Sequence, residues 1–271
     1  MTRSTYHILL ASGNLVGLIA VVTVNALANA IPIAGRTTGE LSDALPNLFV
    51  PAGVTFSIWG VIYLLLAVFV GYGLVRSIRR RRAATTVRDA DNDPLARVGP
   101  LFLATCVANI GWIFAWHYQL LPLSLLLMAA LLISLILIYL RLDVGRSSAE
   151  TAEKYLVHLP FSVYLGWISI ATVANVTALL VAYDWGGFGL GDQVWASVMI
   201  AVGLTLGLIA LLHRNDIFYA LVVVWALLGI LIKRTADGVV PAYAVIATAA
   251  LSAAVLLLAV IVWLARRRVY R

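Results

Sequence analysis

The sequence predicts an all-α integral membrane protein that crosses the bilayer about eight times. Composition is the first reason: of 271 residues, 63% are hydrophobic and only 11% charged, against about 25% charged in a soluble domain. The second is distribution. The charges cluster, and the runs between them approach the length of about 20 apolar residues that a hydrocarbon core requires. The third is that these runs are continuous rather than alternating, which specifies helices and not barrel strands.

Taken in order, the first span runs from about Ile8 to Ala30, the second from Val54 to Val75 and the third from Pro100 to His117. The fourth covers Pro122 to Leu140, the fifth Leu156 to Tyr183 and the sixth Val194 to Leu212. The seventh, Ile217 to Ile232, is the shortest; the eighth runs from Pro241 to Ala265. No linker is long enough to separate soluble domains. The longest connection, Arg76 to Gly99, is polar and mixed in charge, the composition of a mobile segment.

Basic residues orient the spans. With the N-terminus inside, the outer connections hold only Arg36, Lys233 and Arg234, leaving 16 of the 19 Lys and Arg on the inner side. That bias places both termini in the cytoplasm of a cell-membrane protein and favours an even number of spans. Arg79 to Arg82 then anchor the cytoplasmic face. A cleaved signal peptide is the competing reading of the first span, from Arg3 through Ala28-Asn29-Ala30. Asn14 interrupts its apolar stretch, which also continues to Ile33, and both features favour a retained span. The net charge of +7 does not indicate nucleic acid, because the basic residues sit between apolar runs, where topology and lipid headgroups account for them. The single cysteine, Cys106, lies inside an apolar run and has no internal disulfide partner.

Polar residues at bilayer depth are costly and turn towards the bundle interior. Asn14, Asn25 and Asn29 lie 11 and 4 residues apart, along one stripe of the first span. Phe56, Trp59 and Tyr63 in the second span, and Asn109, Trp112 and Trp116 in the third, are spaced by 3 and 4. The fifth carries Tyr164, Trp167, Ala171 and Asn175 in the same manner. The orientation puts Asn109 and Asn175 roughly 10–12 Å below their outer ends at about 1.5 Å per residue, with Asn25 slightly higher and Trp167 slightly lower. Converging, the four stripes would line one cavity from the midplane to the outer surface. The connection from Ile31 to Val50, with Pro32 and Pro46, would lie above it as a lid. A cavity of this kind suits a flat, mostly apolar ligand with a few polar edges.

Each residue alone has a plainer explanation, since Trp and Tyr populate membrane interfaces and Asn bonds between helices. Trp116, Tyr118, Trp185 and Trp195 fit an outer interfacial belt and Trp263 an inner one. Four stripes at similar depth point to the pocket. The fourth span, nearly all Leu, Ile and Ala, reads as lipid-facing. Spans six to eight carry little beyond Thr205, Trp225 and Thr248, and read as an added bundle or the surface of a homodimer.

The stretch Pro51-Ala-Gly-Val-Thr-Phe-Ser-Ile-Trp-Gly-Val-Ile-Tyr63 resembles the second-helix signature of the translocator protein family, the tryptophan-rich sensory proteins. Asn109-Ile-Gly-Trp112 resembles its third-helix Asn-x-x-Trp. Tyr164-Leu-Gly-Trp167, with Ala171 and Asn175, resembles its fifth-helix pattern. Order and spacing agree over residues 8 to 183. The resemblance implies a five-helix bundle over 1–183 and a three-helix extension over 184–271. It also implies a pocket for porphyrins and related apolar ligands, haem among them, in which Trp59, Asn109, Trp112, Trp167, Ala171 and Asn175 take part. With Asn25, Tyr63 and Tyr164 from the stripes, these are the candidate ligand-binding residues. Val163 stands where the family has Pro before the fifth-helix Tyr, and Ile113 where a hydroxyl residue often follows the third-helix Trp.

Three functions compete. A membrane-embedded binding or sensory protein for a tetrapyrrole-like ligand leads, with no cofactor required. A transporter of an uncharged or apolar small molecule is the alternative; ion coupling is disfavoured because no Asp, Glu, Lys or Arg falls well inside a span. An enzyme is not expected: His7, His117, His158 and His213 do not pair at metal-ligand spacing, and no nucleophile stands beside a base. His117 as a haem ligand is less favoured than an interfacial histidine. Lys233, at a span end beside Arg234, does not suit a retinal Schiff base.

Overall fold

The computed structural model describes residues 3–45, 47–82, 93–236 and 238–269, and among these it contains helices and no strand. Pro46, residues 83–92 of the Arg76–Gly99 connection expected to be mobile (Arg88 among them), Asp237 and Arg271 lie outside the described residues, as do the side chains of Arg3, Arg80–Arg82, Arg267 and Arg268.

Eight long helices follow one another: α1 (Arg3–Ala30), α2 (Ile58–Arg82), α3 (Leu101–His117), α4 (Leu121–Leu142), α5 (Leu159–Ala182), α6 (Asp192–Arg214), α7 (Ile217–Arg234) and α8 (Tyr243–Val269). Seven of the segments are long and apolar enough to cross a membrane, and α3, with 17 residues, falls just short of that group. At about 1.5 Å per residue it still reaches about 25 Å. The chain is a multi-pass helical membrane protein. The seventh span is firmer than expected, because the Asp216 side chain accepts from the backbone N–H of Phe218 and Tyr219, both at 3.1 Å, and caps α7. The fifth is entered through a π-helical turn, Lys154–His158.

The chain divides into two compact units, Met1–Thr38 with Trp59–Leu165, and Gly39–Ile58 with Gly166–Arg271. This division passes through α5, whereas the resemblance placed its boundary after residue 183; packing and chain order partition the molecule differently.

In the first unit α3 packs along α1 and α4. Phe69, Phe102 and Phe161 meet edge to face, with ring centroids 4.9–6.2 Å apart. The fourth span is not simply lipid-facing. Met128, Leu131, Leu135 and Ile138 form a fully buried stripe at helical spacing, while Leu126 and Ile133 on other faces are exposed. A Leu-rich sequence conceals such a stripe because both faces are apolar. Near Arg76, the buried Asp93 carboxylate receives Arg76 Nε at 2.9 Å and lies 3.2 Å from His7 Nδ1. Arg97 and His158 both meet Glu153.

In the second unit α6, α7 and α8 pack pairwise, and the segment before α2 docks on α7. Ala52 N donates to Gly229 O at 2.9 Å and Trp225 Nε1 to Thr55 O at 3.0 Å. Glycine is required at 229: a Cβ there would lie 2.1 Å from Thr55 Oγ1. Asp43 and Lys233 pair in the same unit. The expected second span therefore begins as a 3-10 turn, Gly53–Ser57, and becomes α-helical only at Ile58.

Candidate functional site

The stripe on α1 delivers Asn25 into the interior, where its Nδ2 donates to Val21 O at 3.0 Å and to Asn109 Oδ1 at 2.8 Å. Asn109, on α3, is fully buried and donates in turn to Tyr164 Oη on α5, at 3.2 Å. Three helices are thus joined by amides and a phenol at a depth where unpaired polar groups are costly. Asn29, expected on the same stripe, is exposed and donates back to Asn25 O at 2.9 Å; only Asn14 and Asn25 turn inward.

Trp59, one residue into α2, lies against this chain. Its ring stacks on Tyr63 (5.6 Å, 23°) and on Trp112 (6.2 Å, 30°), and meets Tyr164 edge-on at 6.0 Å. Trp112 stacks further on Trp116 at 6.1 Å. Trp116, expected both on this stripe and in the interfacial belt, is buried, 5% exposed, and its Nε1 donates to Thr38 O at 3.3 Å. Spacing of 3 and 4 on a straight helix carried it to the same face as Trp112.

Two donors on these stacked rings, Tyr63 Oη and Trp112 Nε1, are buried and find no hydrogen-bond partner among the described residues. Neither does the Asn14 amide, which is 1% exposed. His117 is buried; Nδ1 lies 2.8 Å from Ile113 O, and Nε2 meets no partner among the described residues.

Of the nine predicted residues, the structure brings Asn25, Trp59, Tyr63, Asn109, Trp112 and Tyr164 together in the first unit. Trp167, Ala171 and Asn175 belong to the second unit, one to three turns further along α5. There Trp167 is buried and meets Phe56 edge to face at 5.9 Å, Asn175 is buried, and Ala171 is half-buried.

The second unit also holds a cavity of about 250 Å³ that sequence reasoning missed. Residues 47–49 of the connection form one wall and the last turns of α5 another; the 185–190 loop and the first turns of α6 complete it. Trp185 and Trp195, both assigned to the interfacial belt, line it. Gly187, at φ +58°, lets the loop lie on Trp195: its carbonyl accepts from Trp195 Nε1 at 2.8 Å, and a Cβ would come within 2.9 Å of that nitrogen. The one signal available in the sequence was the Trp185-Gly-Gly-Phe-Gly189 run between two spans, a loop of glycines holding aromatic rings.

A family model described as TSPO-like protein matches residues 8–263, so α6, α7 and most of α8 lie within the extent of the match. No curated protein and no solved structure was found to match the chain.

Proposed function

Because the chain belongs to the TSPO-like protein family, we propose that it is a membrane-embedded binding and sensory protein for a flat, largely apolar ligand of the tetrapyrrole class. The carrying observation is the pair of buried, unpaired donors, Tyr63 Oη and Trp112 Nε1, on two rings that both stack on Trp59. Aromatic faces supply affinity for a planar ring system, and buried donors reward the guest that brings acceptors to them. The Asn25–Asn109–Tyr164 chain fixes the helices that present those rings. On this reading the protein binds rather than catalyses, tetrapyrrole is a ligand and not a resident cofactor, and the basic bias holds both termini in the cytoplasm of the cell membrane.

Titration of the full chain in lipid nanodiscs with protoporphyrin IX tests this. Saturable quenching of tryptophan fluorescence above that of empty discs is expected, weakened about tenfold in Trp59→Ala, the worth of one lost aromatic stack. Coincident isotherms for protein, variant and empty discs would sink the proposal.

A further inference from the structure

Independently of the aromatic cluster in the first unit, we infer that the hollow of the second unit binds a small, neutral, largely apolar molecule carrying one hydrogen-bond acceptor. The argument starts at Asn47. Its Oδ1 accepts from Phe49 N at 2.9 Å and Val50 N at 3.1 Å, which holds the amide in the wall of the cavity. The same amide has a second end. Nδ2 is buried and meets no hydrogen-bond partner among the described residues, although native structures leave few such groups unpaired. The nitrogen is enclosed, so a guest oxygen satisfies it by parting the 47–49 turn from it at the cavity wall.

The rest of the wall fixes the class of guest. Phe49, Val176, Leu180, Val181 and Met199 present apolar surface, and Trp185 adds an aromatic face. Asp192, exposed in the first turn of α6, also borders the hollow and disfavours an anionic headgroup. The volume of about 250 Å³ lies just under the range of about 300–1,000 Å³ typical of drug-sized ligands, which selects a guest much smaller than a tetrapyrrole. Ketones and esters have this chemistry, and so does the acyl ester of a bilayer lipid.

The test uses 4-phenyl-2-butanone as probe and n-butylbenzene, the same skeleton without the oxygen, as control. Binding to the full chain is measured by saturation-transfer NMR in nanodiscs of ester-linked or ether-linked phosphatidylcholine, against empty discs. The ketone is expected to bind saturably and more tightly than the hydrocarbon. Asn47→Asp retains the oxygen that serves Phe49 N and Val50 N but removes the donor, and the ketone preference falls about five- to tenfold, as for one lost hydrogen bond. Ala196→Leu, on the buried wall, reduces binding of both probes at least about tenfold as the added carbons occupy the space. Tighter ketone binding in ether-linked discs assigns the resident guest to lipid esters, and equal binding assigns it to free molecules. Equal affinity of wild type for the two probes, an unchanged isotherm in Ala196→Leu, or no saturable binding in either disc overturns the inference.

Discussion

In the first unit, side chains from α1, α2, α3 and α5 close directly on one another, Asn25 on Asn109, Asn109 on Tyr164, Trp59 on Tyr63 and Trp112. In the second, residues of the same chemistry, Asn47, Trp185 and Trp195, border a hollow. The backbone that carries them accounts for the difference. Stripes spaced by 3 and 4 on long helices meet face to face. The hollow is built where helices end, from a connection and a loop whose backbone turns through positive φ at Gly187, Phe188 and Gly189, and such segments do not interlock like helical ridges. Polar and aromatic content therefore marks depth and face, and it does not by itself reveal a hollow built from irregular backbone.

The largest expected effect probes the ring cluster of the first unit. Trp112→Ala removes a ring that is 5% exposed and contacts both Trp59 and Trp116. Truncating a buried Trp costs about 3–5 kcal/mol, and the midpoint of unfolding in a detergent–denaturant titration should fall accordingly. A cost below about 1 kcal/mol would show that the contacts of this ring with Trp59 and Trp116 add little to stability, and the contrast between the two regions would break.

A smaller loss is expected at Asn109→Leu, which keeps the branched shape but removes the link between Asn25 Nδ2 and Tyr164 Oη. Asn25 keeps its bond to Val21 O, so the cost should be about 1–2 kcal/mol. Adding Tyr164→Phe should then cost less than it does in the wild-type background, because the phenol has already lost its donor. Additive losses in this double-mutant cycle would mean that the two side chains are not coupled.

Much of this architecture is legible in the sequence, and the limits follow from range. The eight helices fall on the eight apolar runs because span length and helix propagation are local properties. The cluster was readable because Trp59–Tyr63, Asn109–Trp112 and Tyr164 each lie on a regular stripe. The buried stripe of α4 was not, since Leu on every face erases the periodicity that reveals a core side. Nor was the docking of Thr55 on α7, which joins residues 170 positions apart through Trp225 and needs glycine at 229. The motifs that carry the resemblance end at Asn175, ahead of the three last helices. The family match running to residue 263 and the grip of α7 on residues 52–57 make them part of the structure that shapes the protein's second unit.

The smallest expected effect has the opposite sign and carries the comparison furthest. Ala196 is buried, yet borders the hollow. In a close-packed core, enlarging such a residue forces neighbours off their rotamers at about 1–3 kcal/mol. Beside unfilled space the added carbons of Ala196→Leu gain contacts at about 0.8 kcal/mol per buried methylene, less the entropy of ordering the side chain. The net change should lie between no effect and about 1 kcal/mol of stabilisation in the same denaturant titration used for Trp112→Ala. A loss above about 2 kcal/mol would show that this wall is already closed against its neighbours. The hollow would then lose its claim as a site.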